Sequence, residues 1–461
     1  MTDHPLTIAH AHQLADLVAK YDGRAPRYTS YPTAVQFTPA VDEAAYRGWL
    51  GALPAAEPVS LYVHVPFCAR LCWYCGCNTR AVNRHEPIGE YLQLLVKEAR
   101  LLGAALPARL RVQAIHLGGG SPNMLTPADL DALFEALGEV FDLAPDREVA
   151  AELDPTSLTR DWVQAAARHG LNRASLGVQN LDPAVQTAVN RDETAEEVAE
   201  AMGWLRAAGV GSVNIDLMYG LPHQTLANTL ATVEAVLRLR PERIALFGYA
   251  HVPWMKAHQQ LIDEGALPGP AARLEQAEGA AERLAEAGYV RIGLDHFARQ
   301  DDDMAVALQE GRLKRNFQGY TTDAAGTLLG LGASAIGRLP QGYVQNSAAE
   351  VAWRAAVSQG CLPVARGVAL TPDDRFRGEI IERLMCDLAV DLREVCARHG
   401  RSFSAVSEPL ARLAPFVRDG LVRLDRDRLE VVGHGRLVVR SVAAAFDTYF
   451  APDAARHAKA L

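Results

Sequence analysis

The segment CARLCWYCGC, residues 68–77, holds four of the chain's seven cysteines. It follows directly on an apolar, β-branched run, VSLYVHV (59–65), and its spacing is C-x3-C-x2-C-x-C. A thiolate is the metal-binding form of cysteine, and reducing surroundings keep such thiols free of disulfides. A structural zinc site ordinarily draws on separated ligand pairs. Ferredoxin-type runs are spaced C-x2-C-x2-C-x3-C-P, which is not found here. The thiolates of Cys68, Cys72 and Cys75 suffice for three irons of a four-iron cube, leaving the last iron open to a chelating ligand. The spacing therefore favours an iron–sulfur site, with zinc as the alternative. Cys361, Cys386 and Cys396 are widely separated and read as small buried hydrophobes.

Other chemistry-bearing residues fall immediately behind similar runs. Gly118-Gly119-Gly120-Ser121 follows VQAIHLG (112–118), Glu152 and Asp154 close EVAAEL (148–153), and Gln179 follows RASLGV (173–178). Asp216 lies in SVNIDLM (212–218), and Ala250 and His251 follow RIALFGY (243–249). Glycines at such a turn allow the backbone to come close to a ligand. The pattern is neither a Walker loop nor GxGxxG, so phosphate binding is a poor fit.

The elements that must position these residues alternate. Between the strand-like runs lie helical segments such as 88–103, 128–141 and 194–209, the last with a Thr194/Glu197 capping box and a Gly209 stop. Strand–helix alternation predicts a parallel sheet. Functional residues at the ends of several successive strands favour a barrel over an open sheet with one switch point. The expected fold is α/β: a partial (β/α)6 TIM-like barrel over 56–300. An N-terminal extension (1–55) covers its mouth, and a Gly-rich extension (301–365) returns to the site. A mostly helical C-terminal domain (366–461) follows, with a winged-helix-like hairpin at 421–432. That tail lacks a dense Lys/Arg recognition helix, so packing is favoured over nucleic-acid binding. A formal net charge of -9 points the same way. No run is apolar enough to span a membrane and the first residues do not read as a signal peptide, so a cytoplasmic protein is expected.

C-x3-C-x-aromatic-C behind the first strand of such a barrel resembles the signature of the radical S-adenosylmethionine (SAM) enzymes. More narrowly, PRYTSYPT (26–33), YVHVPFCARLCWYCGC (62–77), GGGSPNML (118–125), ELDP (152–155), GVQ (177–179), NIDLMYGLP (214–222), DHFA (295–298) and RNFQGYTT (315–322) resemble the oxygen-independent coproporphyrinogen III oxidases along nearly the whole chain. This resemblance implies a radical SAM oxidoreductase of heme biosynthesis. Such an enzyme decarboxylates two propionates of coproporphyrinogen III to vinyl groups, giving protoporphyrinogen IX, by way of a 5′-deoxyadenosyl radical. It implies a [4Fe–4S] cluster on Cys68, Cys72 and Cys75, with Cys77 close by but not a ligand. It also implies two SAM molecules lined by Tyr62, Tyr74, Gly119, Gly120, Ser121, Glu152, Gln179, Arg191, Asp216, Ala250 and Ile336. An electron donor such as a flavodoxin or ferredoxin system and a monomeric state follow from the same likeness. No side chain is expected to act as a general base, because an unactivated C–H bond is opened by hydrogen-atom abstraction.

The four carboxylates of such a substrate need local cations in an acidic protein. Arg24, Arg27, Tyr28 and Arg315, in or beside the two segments most distinctive of the family, are the candidate substrate contacts. The rival readings are a radical-SAM-like heme-binding chaperone, whose members generally lack the RYTSYPT and NFQGYTT stretches, and a zinc-dependent regulator.

Overall fold

The computed structural model describes residues 20–21 and 25–450. Arg24 and most of the expected helical start lie outside the described residues. Six strands run in parallel and in chain order: β1 (Val59–Val65), β2 (Arg111–Gly119), β3 (Asp142–Leu153), β4 (Arg173–Gln179), β5 (Ser212–Tyr219) and β6 (Arg243–Gly248). Strands buried on both faces, as β1 and most of β6 are, read as continuous apolar runs, whereas β4 and β5 alternate buried and half-exposed residues. All but one residue of β1 is buried.

Helices cross between them: α1 (Glu86–Gly103), α2 (Pro127–Val140), α3 (Arg160–Arg168), α4 (Ala195–Ala207) and α5 (Leu226–Leu239). Their starts are chemically marked. Thr126 caps α2 through Asp129, Thr194 caps α4 through Glu197, and Thr225 caps α5 through Asn228, each a reciprocal box that satisfies two otherwise orphaned N–H groups. Gly209 takes φ +86° after α4, the left-handed stop a glycine supplies.

The sheet continues past both ends of the parallel set. After helix α6 (Pro270–Glu286), β7 (Tyr289–Ile292) and β8 (His296–Arg299) add antiparallel strands beyond β6. On the other side β9 (Thr327–Leu331) runs parallel to β1, followed by antiparallel β10 (Ile336–Leu339), β11 (Gly342–Asn346) and β12 (Val364–Ala369). The edge strands β12 and β7 do not pair, so the barrel stays open.

Helix α7 (Pro372–Asp387) begins a smaller unit with its own three-stranded sheet, β13 (Ala389–Asp391), β14 (Val422–Asp425) and β15 (Arg428–Val431), in the order β13-β15-β14. Its core takes in Phe376, Ile380, Leu384, Val442 and Phe446, and also Ala25, Tyr28 and Tyr31 from the N-terminal side of the chain. Cys386 and Cys396 are buried in this unit, whereas Cys361, expected to be buried, is partly exposed. Beside it, the Leu362 amide donates to the carboxylate of Glu43 (2.9 Å). Among the described residues no helix is long and apolar enough to cross a membrane.

Candidate active site at the carboxyl end of the sheet

The cysteine loop is the connection that leaves β1 and returns through Arg80–Ala81, which pairs with Phe67–Cys68. It packs on the glycine turn that ends β2. The amides of Gly120 and Ser121 donate to the carbonyls of Val65 (2.8 Å) and Phe67 (2.7 Å). A Cβ on Gly120 would lie 2.4 Å from the Phe67 carbonyl oxygen and 2.6 Å from Thr79 Oγ1. Gly119 holds φ +110°, and a Cβ there would meet the His64 ring at 2.4 Å. Gly119 thus requires glycine for both conformation and space, and Gly120 for space.

The thiols sit in unlike surroundings. Cys68 Sγ lies 3.2 Å from Thr79 Oγ1 and receives the Ser121 hydroxyl at 3.6 Å, while burial pushes its thiol up. Cys72 Sγ receives Arg191 Nη1 at 3.5 Å. The Cys75 thiol is held down at about 7, first by hydrogen bonding from Cys77 and further by the charges of Lys256 and Arg191, so a thiolate forms readily there. Cys77 is exposed at the residue level, and its amide points at Cys75 Sγ (3.4 Å). Among the described residues no three such donors already converge on one point. The donor set is nonetheless thiol-only and carried on one loop, which suits iron–sulfur ligation over hard cations.

Around the loop the strand ends bring the other expected residues together. Tyr62 on β1 stacks on His116 (centroids 5.9 Å) and its hydroxyl lies 3.0 Å from His64 Nδ1. Glu152, ending β3, accepts from the Gly119 amide (3.1 Å) and contacts His116 Nε2 (3.1 Å). Burial works against its charge, but His116 and that amide outweigh it and hold the carboxyl below its ordinary range. Asp216 on β5 accepts from Ser175 (2.9 Å) and Asn214 (2.7 Å). Burial, with the nearby Glu152 charge, pushes it up to about 6. Both carboxylates face a cavity of about 290 Å³ inside the sheet. Gln179 closes β4 at φ +64°, an unusual conformation for a non-glycine residue and one that often marks a site.

Arg191 ties the loop to β4. Its guanidinium donates to Cys72, to the Tyr74 hydroxyl (3.2 Å), to Glu193 (2.7 Å) and to the Gly177 carbonyl. Tyr74 itself packs beside Val185, Val189, Leu221 and Tyr249. Ala250 lies exposed behind β6. Ile336 starts β10, beside Gly330, the residue registered with Tyr62.

The candidate substrate contacts are placed differently from one another. Arg27 is half-exposed, 3.9 Å from Asp295 and 5.9 Å from the Phe247 ring centroid. Arg315 is buried with its guanidinium 4.4 Å from the Tyr320 ring centroid. The Tyr28 hydroxyl donates to Asp447 (3.0 Å) inside the C-terminal core. Several contributors escaped sequence reasoning: His64, Thr79, His116, and the 252–266 segment, where Lys256, His258 and Gln259 bind the backbone carbonyls of Cys77, Cys75 and Tyr74. The two histidines had a signal, polar residues within apolar strands (VHV, IHL). The carbonyl contacts had none, because they join segments about 180 residues apart.

The family model described as Radical SAM superfamily matches residues 62–236, and that of the HemN C-terminal domain matches 370–438. The chain is 50% identical over 97% of its length, and 100% of the other's, to an oxygen-independent coproporphyrinogen III oxidase of Bradyrhizobium diazoefficiens. It is 39% identical to a Salmonella typhimurium protein of the same name, over 94% of each chain. Among solved structures it is similar to the Escherichia coli coproporphyrinogen III oxidase described as a radical SAM enzyme, with a TM-score of 0.89, 38% identity, and coverage of 94% of this chain and 98% of that one.

Proposed function

The chain belongs to the oxygen-independent coproporphyrinogen III oxidases of the radical SAM superfamily, and from this premise we propose that it converts two propionates of coproporphyrinogen III to vinyl groups, giving protoporphyrinogen IX. It is an oxidoreductase that uses a [4Fe–4S] cluster and SAM. The observation that carries this reading is the likeness along nearly the entire chain, which takes in the thiol loop, the glycine turn and the C-terminal unit together. The heme-binding chaperone is not favoured, since the relatives matched at this length carry the oxidase name.

Cys68, Cys72 and Cys75 would hold the cluster, and Cys77 would stay a neighbour. When bound, the cluster and SAM would supply hydrogen-atom abstraction at the propionate side chain, whose radical would become the vinyl group by losing carbon dioxide and passing one electron to an acceptor. The residues of the chain bind, orient and shield. Gly119, Gly120 and Ser121 keep backbone close to the thiol loop, leaving room for a ligand's amino group against Glu152, which stays ionised at neutral pH. Tyr62, Gln179, Asp216, Ala250 and Ile336 complete the SAM contacts around two molecules, with Tyr74 offering its ring and Arg191 fixing Tyr74 and Cys72 in one hydrogen-bonded unit. The 252–266 segment covers the loop's carbonyls and limits water there. Arg27, Arg315 and Arg24 are assigned to the substrate's carboxylates, and Tyr28, expected from sequence at the same place, to seating Arg27 from the C-terminal core. The electron donor would be a flavodoxin or ferredoxin system, and the enzyme a cytoplasmic monomer.

The test is an anaerobic assay of reconstituted protein with SAM, a reductant and coproporphyrinogen III. Protoporphyrinogen IX and 5′-deoxyadenosine are expected together. SAM cleavage without loss of carbon dioxide from this tetrapyrrole would overturn the assignment of substrate, and stoichiometric zinc without iron or sulfide would overturn the whole reading.

A further inference from the structure

A second recess of about 290 Å³ lies where three parts of the chain meet. Its walls are the N-terminal strap at Ala25–Arg27, the end of β6 with Tyr249 and Ala250, the β7–β8 hairpin, and the turn before the last helix of the C-terminal unit. It opens beside Ala250 and so borders the proposed reaction centre. The charge of its lining is one-sided. Arg27, Arg273, Arg291, Arg436 and Arg440 face it, against one carboxylate, Asp295.

The commitments of these groups differ. Arg440 donates to the carbonyls of Ala25 and Pro26, and Arg273 to that of Tyr249, so both hold backbone. Arg291 makes a two-pronged pair with Glu278 (3.0 and 3.4 Å). Asp295 is already engaged by His296 at 2.8 Å and held well below its usual range despite burial, chiefly by that partner and further by Arg315 and Arg27. Arg436 is different. Its guanidinium donates to a neutral acceptor, the Gly293 carbonyl (2.5 Å), and among the described residues it forms no ion pair with a carboxylate. Burial, and then the neighbouring Arg291 charge, press its guanidinium down to about 10. Arg27, on the strap wall of the recess, has a 3.9 Å approach to Asp295 and lies 5.9 Å from the Phe247 ring centroid. A guanidinium partly removed from water beside another of like charge is destabilising until an anion joins it.

We propose that Arg436 and Arg27, backed by Arg291, form the anchor for one non-reacting propionate carboxylate of the tetrapyrrole, so that the C-terminal unit takes part in substrate recognition. This rests on the oxidase reading above. Size supports the role: pockets that enclose a whole drug-sized ligand run from about 300 to 1,000 Å³. A recess at the bottom of that range admits one pyrrole arm rather than the macrocycle. Guanidinium suits the task because its planar fork meets a carboxylate with two parallel bonds. A SAM carboxylate has the same chemistry, and the experiment separates the two.

The experiment is steady-state kinetics of the reconstituted, full-length enzyme under anaerobic conditions, with coproporphyrinogen III and SAM varied in turn. Arg436→Met keeps most of the side chain's apolar stem, and Arg436→Lys keeps its charge without the fork. The expected result for Arg436→Met is a rise of tenfold or more in KM for coproporphyrinogen III, with a smaller change in kcat, partly restored in Arg436→Lys. Arg27→Met, on the N-terminal strap, gives the same direction of change and keeps the proposal testable should Arg436→Met fail to fold. A coproporphyrinogen KM within twofold of wild type in both Met variants would overturn the proposal, as would a rise confined to the KM for SAM. Wild-type protein that does not turn over coproporphyrinogen at all would instead defeat the underlying function.

Discussion

The glycine turn shows how much one missing methyl group decides. At Gly120 the nearest atoms to an added Cβ are a backbone carbonyl oxygen and a hydroxyl on the thiol loop, at 2.4 and 2.6 Å. Neither is the loose end of a flexible side chain, so the loop and the β2 turn must separate. Gly120→Ala is therefore expected to reduce bound iron and sulfide and to lower turnover at least tenfold. Gly203→Ala on α4, where an added Cβ meets nothing within 4 Å, should leave both unchanged. Iron and sulfide determination on both proteins after identical reconstitution checks this. Full cluster content in Gly120→Ala would mean that the close approach is not needed. The same scale explains why the thiols were legible and their partners were not. Four cysteines in one loop announce themselves by type, whereas Thr79 and His116 act through contacts that only the folded strands create.

Elements are held in place by a buried carboxylate of α1 that resembles any surface glutamate in the sequence. Glu98 is 1% exposed and accepts from the Gly332 amide at the end of β9 (2.8 Å), from Asn346 on β11 (2.6 Å) and from the Trp353 indole (2.9 Å). It thereby pins the extension that carries Ile336 to the helix behind β1. Burial outweighs these three donors and raises its carboxyl to about 7. The folded protein then binds this proton more tightly than the unfolded chain. Its contribution to stability is fully present below the ordinary glutamate range and is lost as pH rises through about 7. Glu98→Gln should flatten that part of the pH dependence between pH 5 and 8, and Glu98→Ala should cost about 2–4 kcal/mol by stranding buried donors. Thermal melts at several pH values decide it, and equal pH slopes in wild type and Glu98→Gln would refute the assignment. The six parallel strands were legible because each keeps at least one buried face of apolar residues, continuous in β1 and most of β6 and alternating in β4 and β5. Strand β9 was not: LLGLGASAIG reads as a Gly-rich return segment, yet Thr327–Leu331 pairs in parallel beside β1 from more than 260 residues away. Its glycines have a packing reason, since at Gly330 a Cβ would crowd Ala335 and Ile336 at 3.1 Å.

At the scale of the whole molecule, residues near the two ends of the described chain close on each other. Tyr28 donates to Asp447, the Tyr31 hydroxyl lies 3.1 Å from Thr448 Oγ1, and Arg440 binds the carbonyls of Ala25 and Pro26. The RAPRYTSYPT segment was read from sequence as a cover for the barrel mouth with Arg27 and Tyr28 both at the substrate. Adjacent residues need not share a destination, and here they divide. Arg27 faces the recess, while the Tyr28 ring is 4% exposed in the C-terminal core at a left-handed φ of 45°. Tyr28 would then serve the substrate only by seating Arg27. Tyr28→Phe keeps the ring but removes a buried hydrogen bond to a carboxylate, a loss of about 1.5–3 kcal/mol. Its first effect should be faster cleavage of the strap near residues 20–30 in limited proteolysis. A coproporphyrinogen KM rise smaller than that of Arg27→Met, with kcat nearly intact, should accompany it. If Tyr28 touched the reacting propionate instead, kcat would fall sharply while the strap kept its protease resistance, and that pattern would reverse the division drawn between these neighbours.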